Sequence, residues 1–201
     1  MIAIIDYGVG NIKSLQFAFD KLDIKTCVTA SKETITSCDA VVLPGVGAFN
    51  DAMKALEAHG LVDILKHEAG SGKPFLGICL GMQLLYEKSY EDGIWDGLGL
   101  LSGQIERIAP TVKVPHMGWN TLAHHRANPI ISSIDEQSYV YFVHSYYITK
   151  PDQASLVSSC LYGDEVPAIV QRDNVIGMQF HPEKSGQIGI QLLKNFGEMI
   201  S

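Results

Sequence analysis

The sequence predicts an α/β fold: a doubly wound, mostly parallel central sheet flanked by helices, with additional antiparallel strands in the C-terminal half. Three observations carry this. Residues 2–5, 40–43 and 75–78 are short apolar runs bounded by Gly or Pro, as strands buried on both faces are. Segments with helical spacing alternate with them, which favours parallel strands joined by helices. After Asp96 the text turns to strand-like runs separated by turn residues, with little helical pattern before the C-terminus.

Taken in order, residues 2–5 open the sheet. Ile12, Leu15, Phe19 and Leu22 recur at helical spacing within residues 11–22, and a strand follows around Ile24 to Val28. The run at 40–43 ends at Pro44-Gly45. Between Gly45 and Gly70 two short helices fit, one marked by Ala52, Met53 and Leu56, the other by Leu61, Ile64 and Leu65 after a break at His59-Gly60. The run at 75–78 leads into a helix beginning near Leu80. Strands are expected at 104–108, 139–148 and 155–162. Residues 167–171 and 175–180, separated by Arg172-Asp173-Asn174, read as a hairpin. Ile188, Leu192, Phe196 and Met199 mark a closing helix. With no repeat, low-complexity tract or linker, residues 1–201 are expected to form one domain.

A chain of 201 residues, 46% hydrophobic and 18% charged, is long enough for one large core. Its formal charge of −7 leaves no basic surface for nucleic acid or an anionic membrane. The apolar N-terminal run is too short to span a bilayer, lacks a basic flank and is interrupted by Asp6, so a soluble cytoplasmic protein is expected. Cys27, Cys38, Cys79 and Cys160 form no C-x-x-C pair and no cluster at zinc spacing, so free thiols and no metal are expected. His124-His125, without a third ligand, reads as a polar loop.

Gly77-Ile78-Cys79-Leu80-Gly81 places a thiol at a strand-to-helix turn. Small flanking residues permit a sharp, strained turn that lifts the side chain above the sheet, the cysteine form of a nucleophile elbow. A helix starting near Leu80 aims N–H groups and the positive end of its dipole at the sulfur, and offers the Leu80 N–H to an oxyanion. On the pentapeptide alone, a buried cysteine acting as a small hydrophobe fits as well. Cys27, Cys38 and Cys160 lack flanking glycines and read that way.

A nucleophilic cysteine needs a base, and the base an orienting group. His181-Pro182-Glu183 follows the strand at 175–180, and at i and i+2 on extended backbone imidazole and carboxylate project to one side. Alone, this is a strand-end histidine beside a solvated glutamate; with the elbow, it completes a triad in the order Cys, His, Glu. Pro44-Gly45-Val46-Gly47 lets the backbone turn and approach a ligand, so an N–H of Val46 or Gly47 is the second oxyanion donor. Those glycines also fit a phosphate loop, but no Gly-Lys-Ser/Thr follows, and Gly8-Val9-Gly10-Asn11 lacks the third glycine of a dinucleotide site.

With "PGVG", "GICLGMQLL" and "FHPEKS" in this order, the chain resembles the class I (triad) glutamine amidotransferases. "DYGVGNIKSL", "PGVGAF", "VPHMGWN" (114–120), "YFVHSYY" (141–147) and "GMQFHPEKSG" (177–186) extend the resemblance over essentially the whole chain, toward the glutaminase subunits that serve histidine biosynthesis. The resemblance implies a class I amidotransferase fold, flavodoxin-like, and hydrolysis of L-glutamine. Cys79 forms a glutamyl thioester, His181 passes a proton to departing ammonia and Glu183 orients His181. Leu80 and the backbone at Val46 or Gly47, the latter after a peptide flip, form the oxyanion hole. Gln83 and His144-Ser145-Tyr146 match positions that hold glutamine; Asn11, Trp119 and Lys184 match positions toward a partner. That partner is a (β/α)₈-barrel cyclase subunit, joined in a heterodimer, that uses ammonia to make imidazole glycerol phosphate and an aminoimidazole carboxamide ribotide. No cofactor or metal is implied. Read singly, Gln83 also fits a surface helix position, His144 and Tyr146 strand residues with satisfied polar tips, and Trp119 a core residue. A paralogous glutaminase feeding amidino-sugar formation for a surface polysaccharide fits the same motifs.

Overall fold

The computed structural model describes residues 1–200. Aliphatic runs with no polar alternation have no solvent face to offer, and the structure buries them on both sides. The N-terminal half runs β1 (Ile2–Ile5), α1 (Ile12–Asp20), β2 (Thr26–Thr29), α2 (Lys32–Ser37), β3 (Ala40–Gly45), α3 (Phe49–Ala58), α4 (Val62–Gly70) and β4 (Phe75–Cys79). β1, β3 and β4 are buried throughout, and β2, at the sheet edge, is half-buried. Gly60, at φ +62°, makes the break expected between the two helices. Ser31 caps α2 by accepting the Thr34 N–H.

The second half contains α5 (Leu80–Leu84), β5 (Tyr86–Ser89), β6 (Trp95–Asp96), β7 (Leu101–Arg107), β8 (His116–Thr121), β9 (Ala123–His124), β10 (Tyr139–His144), β11 (Tyr146–Thr149), β12 (Leu156–Tyr162), β13 (Asp164–Arg172), β14 (Val175–Met178) and α6 (Gly186–Glu198). The main sheet has the order β2-β1-β3-β4-β14-β13-β12-β9. Its first five strands are parallel, and β13, β12 and β9 extend it antiparallel, as the fold class predicted. Successive residues of each parallel strand feed opposite cores: Ile2, Ile4, Val42 and Ile78 pack with Leu15, Phe19 and Phe196, while Ala3, Ile5, Val41 and Leu43 pack with Met53, Leu56 and Leu65.

Two small sheets lie beside the main one, β10-β8 and β11-β7-β5-β6. They correct the expectation of one strand over 139–148. That run breaks at Ser145, and its halves pair antiparallel with different partners, β8 and β7. The hairpin loop is also tighter than expected: Arg172 pairs with Val175, so only Asp173, at φ +52°, and Asn174 make the turn. Among the described residues no helix is long and apolar enough to cross a membrane.

The pairing that matters for chemistry is β4 with β14. Gly77 lies opposite Gly177 and Ile78 opposite Met178, so the residues leaving both C-terminal ends meet at one level of the sheet.

Candidate active site

Cys79 ends β4 at φ +55°, ψ −114°, a conformation costly for any residue with a Cβ. Packing imposes it. A Cβ on Gly81 would lie 1.9 Å from the Leu43 carbonyl oxygen, and one on Gly77 would lie 2.7 Å from the Gly81 carbonyl oxygen. The flanking glycines therefore let α5 press against β3 and β4, while the cysteine itself takes the strained dihedrals. α5 is a single buried turn, so its effect on the sulfur comes from its first N–H groups and not from a long dipole.

His181 follows β14 with its N–H bonded to the Tyr141 carbonyl. Its Nδ1 is 2.9 Å from Glu183 Oε1, and both side chains are almost wholly buried. The route to this contact differs from the sequence expectation. Only His181 is extended; residues 182–184 form a 3₁₀ turn that folds the carboxylate back under the ring. Asn11 Nδ2 donates to the same carboxylate oxygen at 3.3 Å, which links the loop after β1 to the triad. Burial disfavours a charged His181, but its hydrogen bonds to Cys79 and Glu183 win, and its pKa is pushed up from 6.5 to about 10. The raised value favours the protonated imidazole.

A cavity of about 450 Å³ opens over the sulfur. Val46, Gly47 and Leu80 line it beside Cys79 and His181, with Gly47 at φ +91°. The Tyr7 hydroxyl steadies this loop by donating to the Pro44 carbonyl at 2.7 Å. Gln83, His144, Ser145 and Tyr146 also line the cavity, and the exposed Lys184 joins them. Gln83 is 4% exposed, so it is no surface helix residue.

His144 belongs to a one-way chain of donors. Its Nδ1 faces the Tyr146 carbonyl at 2.9 Å, so that nitrogen carries the hydrogen and Nε2 accepts from His116 Nδ1 at 2.9 Å. Asn120 Nδ2 then donates to His116 Nε2 at 3.3 Å. Burial holds both rings neutral, with pKa values lowered to about 4 for His116 and about 3 for His144.

Two expected site residues lie apart from the cavity. Asn11 stands behind the triad, and Trp119 is on the outer face of β8, 55% exposed, with its ring edge-on to Tyr141. Trp119 is thus no core residue; Met117 and Tyr139 are exposed with it on the β8-β10 pair. His124 and His125 each bond a serine hydroxyl of β12, Ser158 and Ser159, at 2.7 Å.

Glu91 lines the cavity and was not anticipated. Its carboxylate accepts the Phe49 N–H at 2.7 Å, while burial, with Asp92 and Asp51 nearby, lifts its pKa. A lone acid in the segment "YEDGIW" carries no sequence signal.

The model of one family, glutamine amidotransferase class-I, matches residues 3–199, and the chain belongs to that family. Solved structures agree at the level of fold: a crystal structure of a glutamine amidotransferase has a TM-score of 0.79 at 19% identity, covering 100% of this chain and 99% of that one. A PurLQS structure from Thermotoga maritima also has a TM-score of 0.79, at 18% identity, covering 100% and 98%. More narrowly, the chain is 58% identical over 200 residues to imidazole glycerol phosphate synthase subunit HisH of Oceanobacillus iheyensis, covering 100% of each. It is 52% identical over 196 residues to the HisH subunit of Bacillus cereus, covering 98% of this chain and 93% of that one.

Proposed function

We propose that the chain is the glutaminase subunit of an imidazole glycerol phosphate synthase, hydrolysing L-glutamine in the cytoplasm and passing ammonia to a cyclase subunit. The observation that carries this reading is the buried His181–Glu183 pair beside an elbow cysteine, opening on a cavity large enough for glutamine. The full-length relatives named HisH support the choice of acceptor.

In this mechanism the Cys79 thiolate attacks the side-chain amide carbon of glutamine, and the oxyanion is met by N–H groups at Leu80 and at Val46 or Gly47. His181, protonated from the thiol, gives its proton to the departing nitrogen, and ammonia leaves a glutamyl thioester. Water then attacks the thioester with His181 as base, releasing glutamate and restoring the thiol. Glu183 keeps the imidazole oriented throughout. Glu91 meets the substrate's α-ammonium group, the one cationic part of glutamine, and Gln83 with residues 144–146 lines the same cavity.

The exposed side chains of β8 and β10, Met117, Trp119 and Tyr139, together with Asn11 and Lys184, form the docking face for a (β/α)₈-barrel cyclase. The test is glutamate release by the purified chain, alone and with a cyclase subunit and its nucleotide ligand, beside Cys79→Ala. Stimulation by that partner, lost in the variant, is the expected result. Stimulation only by an amidino-sugar synthase subunit would move the acceptor assignment, and no glutamate under any condition would overturn the reading.

A further inference from the structure

We propose that Gln179 is a further residue of the reacting centre: its side-chain amide donates a hydrogen bond to the sulfur of Cys79 and favours the thiolate. Its consequence for turnover rests on the glutaminase reading; the contact itself does not.

Which end of the Gln179 amide faces the sulfur is decided by a backbone carbonyl. Gln83 Nε2 lies 2.9 Å from the Tyr146 carbonyl oxygen, which can only accept, so the Gln83 atom there is the nitrogen. Its other hydrogen reaches Gln179 at 3.0 Å, which makes the receiving atom Oε1. The remaining end of Gln179 is therefore Nε2, and it lies 4.0 Å from Cys79 Sγ. The anchoring carbonyl is itself held by the Nδ1–H of His144. Gln179 has no exposed surface, so water does not compete for its amide. The chain bends at Gln179 and Phe180 after β14, and both the Gln179 amide and the His181 imidazole reach the nucleophile.

The sulfur stands between opposed neighbours. The Val143 carbonyl, at 3.9 Å, accepts the S–H of a thiol and repels a thiolate. Cys79 is 6% exposed, so an anion there receives little help from water and depends on protein donors. Gln179 supplies a neutral donor that stays in place when His181 gives up its proton to the leaving nitrogen. Removing it leaves the carbonyl's preference for the thiol less opposed.

The experiment is alkylation of the full chain by iodoacetamide between pH 5 and 10, with Cys79 followed by peptide mass spectrometry and Cys27 as the internal reference. In Gln179→Met, which keeps the chain length and removes the donor, the Cys79 midpoint is expected to rise by about one pH unit while that of Cys27 stays. With glutamine, kcat should fall ~10-fold and KM should change less. An unchanged Cys79 midpoint in a folded variant overturns the proposal. Should Gln179→Met not fold, the native chain decides: the ¹⁵N–¹H side-chain signals of Gln179 should shift with the alkylation midpoint, and signals that stay fixed across it overturn the proposal. A shifted thiol midpoint with no glutamate released by any assembly would instead overturn the substrate reading and leave the Gln179 contact standing.

Discussion

His181 lies between a thiol and a carboxylate, and its behaviour with pH follows from both. Its pKa is raised from 6.5 to about 10, so its interactions stabilise the fold fully below pH 6.5 and cease to do so as pH climbs through about 10. The stability gap between the native chain and Glu183→Gln, read by urea unfolding, is therefore expected to be widest near pH 6 and to close toward pH 10. Glutamate production at neutral pH should fall ~10²–10⁴-fold in the same variant. The strained dihedrals of Cys79 make a second test. Cys79→Gly is expected to melt above Cys79→Ala by roughly 2–4 °C, since glycine takes a positive φ without the cost of about 1 kcal/mol or more. These three positions were legible in the sequence because glycines and a proline mark them. Glu91 was not, because its place at the cavity depends on a bond to the start of α3, which no spacing encodes.

At the scale of elements, the elbow depends on how closely α5 approaches β3. Gly81→Ala would drive a methyl group into the Leu43 carbonyl, so the backbone must move. A fall in melting temperature of roughly 5–10 °C is expected, with loss of glutamate release, because the displaced turn also carries Cys79. The buried parallel strands and the long amphipathic helices declared themselves through composition and period. The elements that escaped notice are short or mixed: α2 has six residues and β5 four, β6 and β9 have two each, and β8 combines His116, Gly118 and Asn120 in six. The division at Ser145 was invisible for a different reason. Residues 139–148 have strand character throughout, and only the partners β8 and β7, supplied from elsewhere in the chain, show that they belong to two sheets.

For the whole molecule, acid stability reflects two histidines folded in the neutral state. The pKa values of His116 and His144 are lowered to about 4 and about 3, so the unfolded chain binds more protons below pH 6.5. Stability should fall as pH drops from 6.5 toward 4, each ring contributing up to about 1.4 kcal/mol per pH unit. In His116→Gln the decline, followed by urea midpoints, should be shallower. The sheet order has a further consequence for the time at which activity begins. β4 and β14 are neighbours in space, yet a hundred residues separate Cys79 from Gln179. A chain emerging from the ribosome exposes its nucleophile 102 residues before its base. Until that stretch has emerged the thiol lacks the imidazole that activates it, so a chain cut short between Cys79 and His181 is unable to consume glutamine.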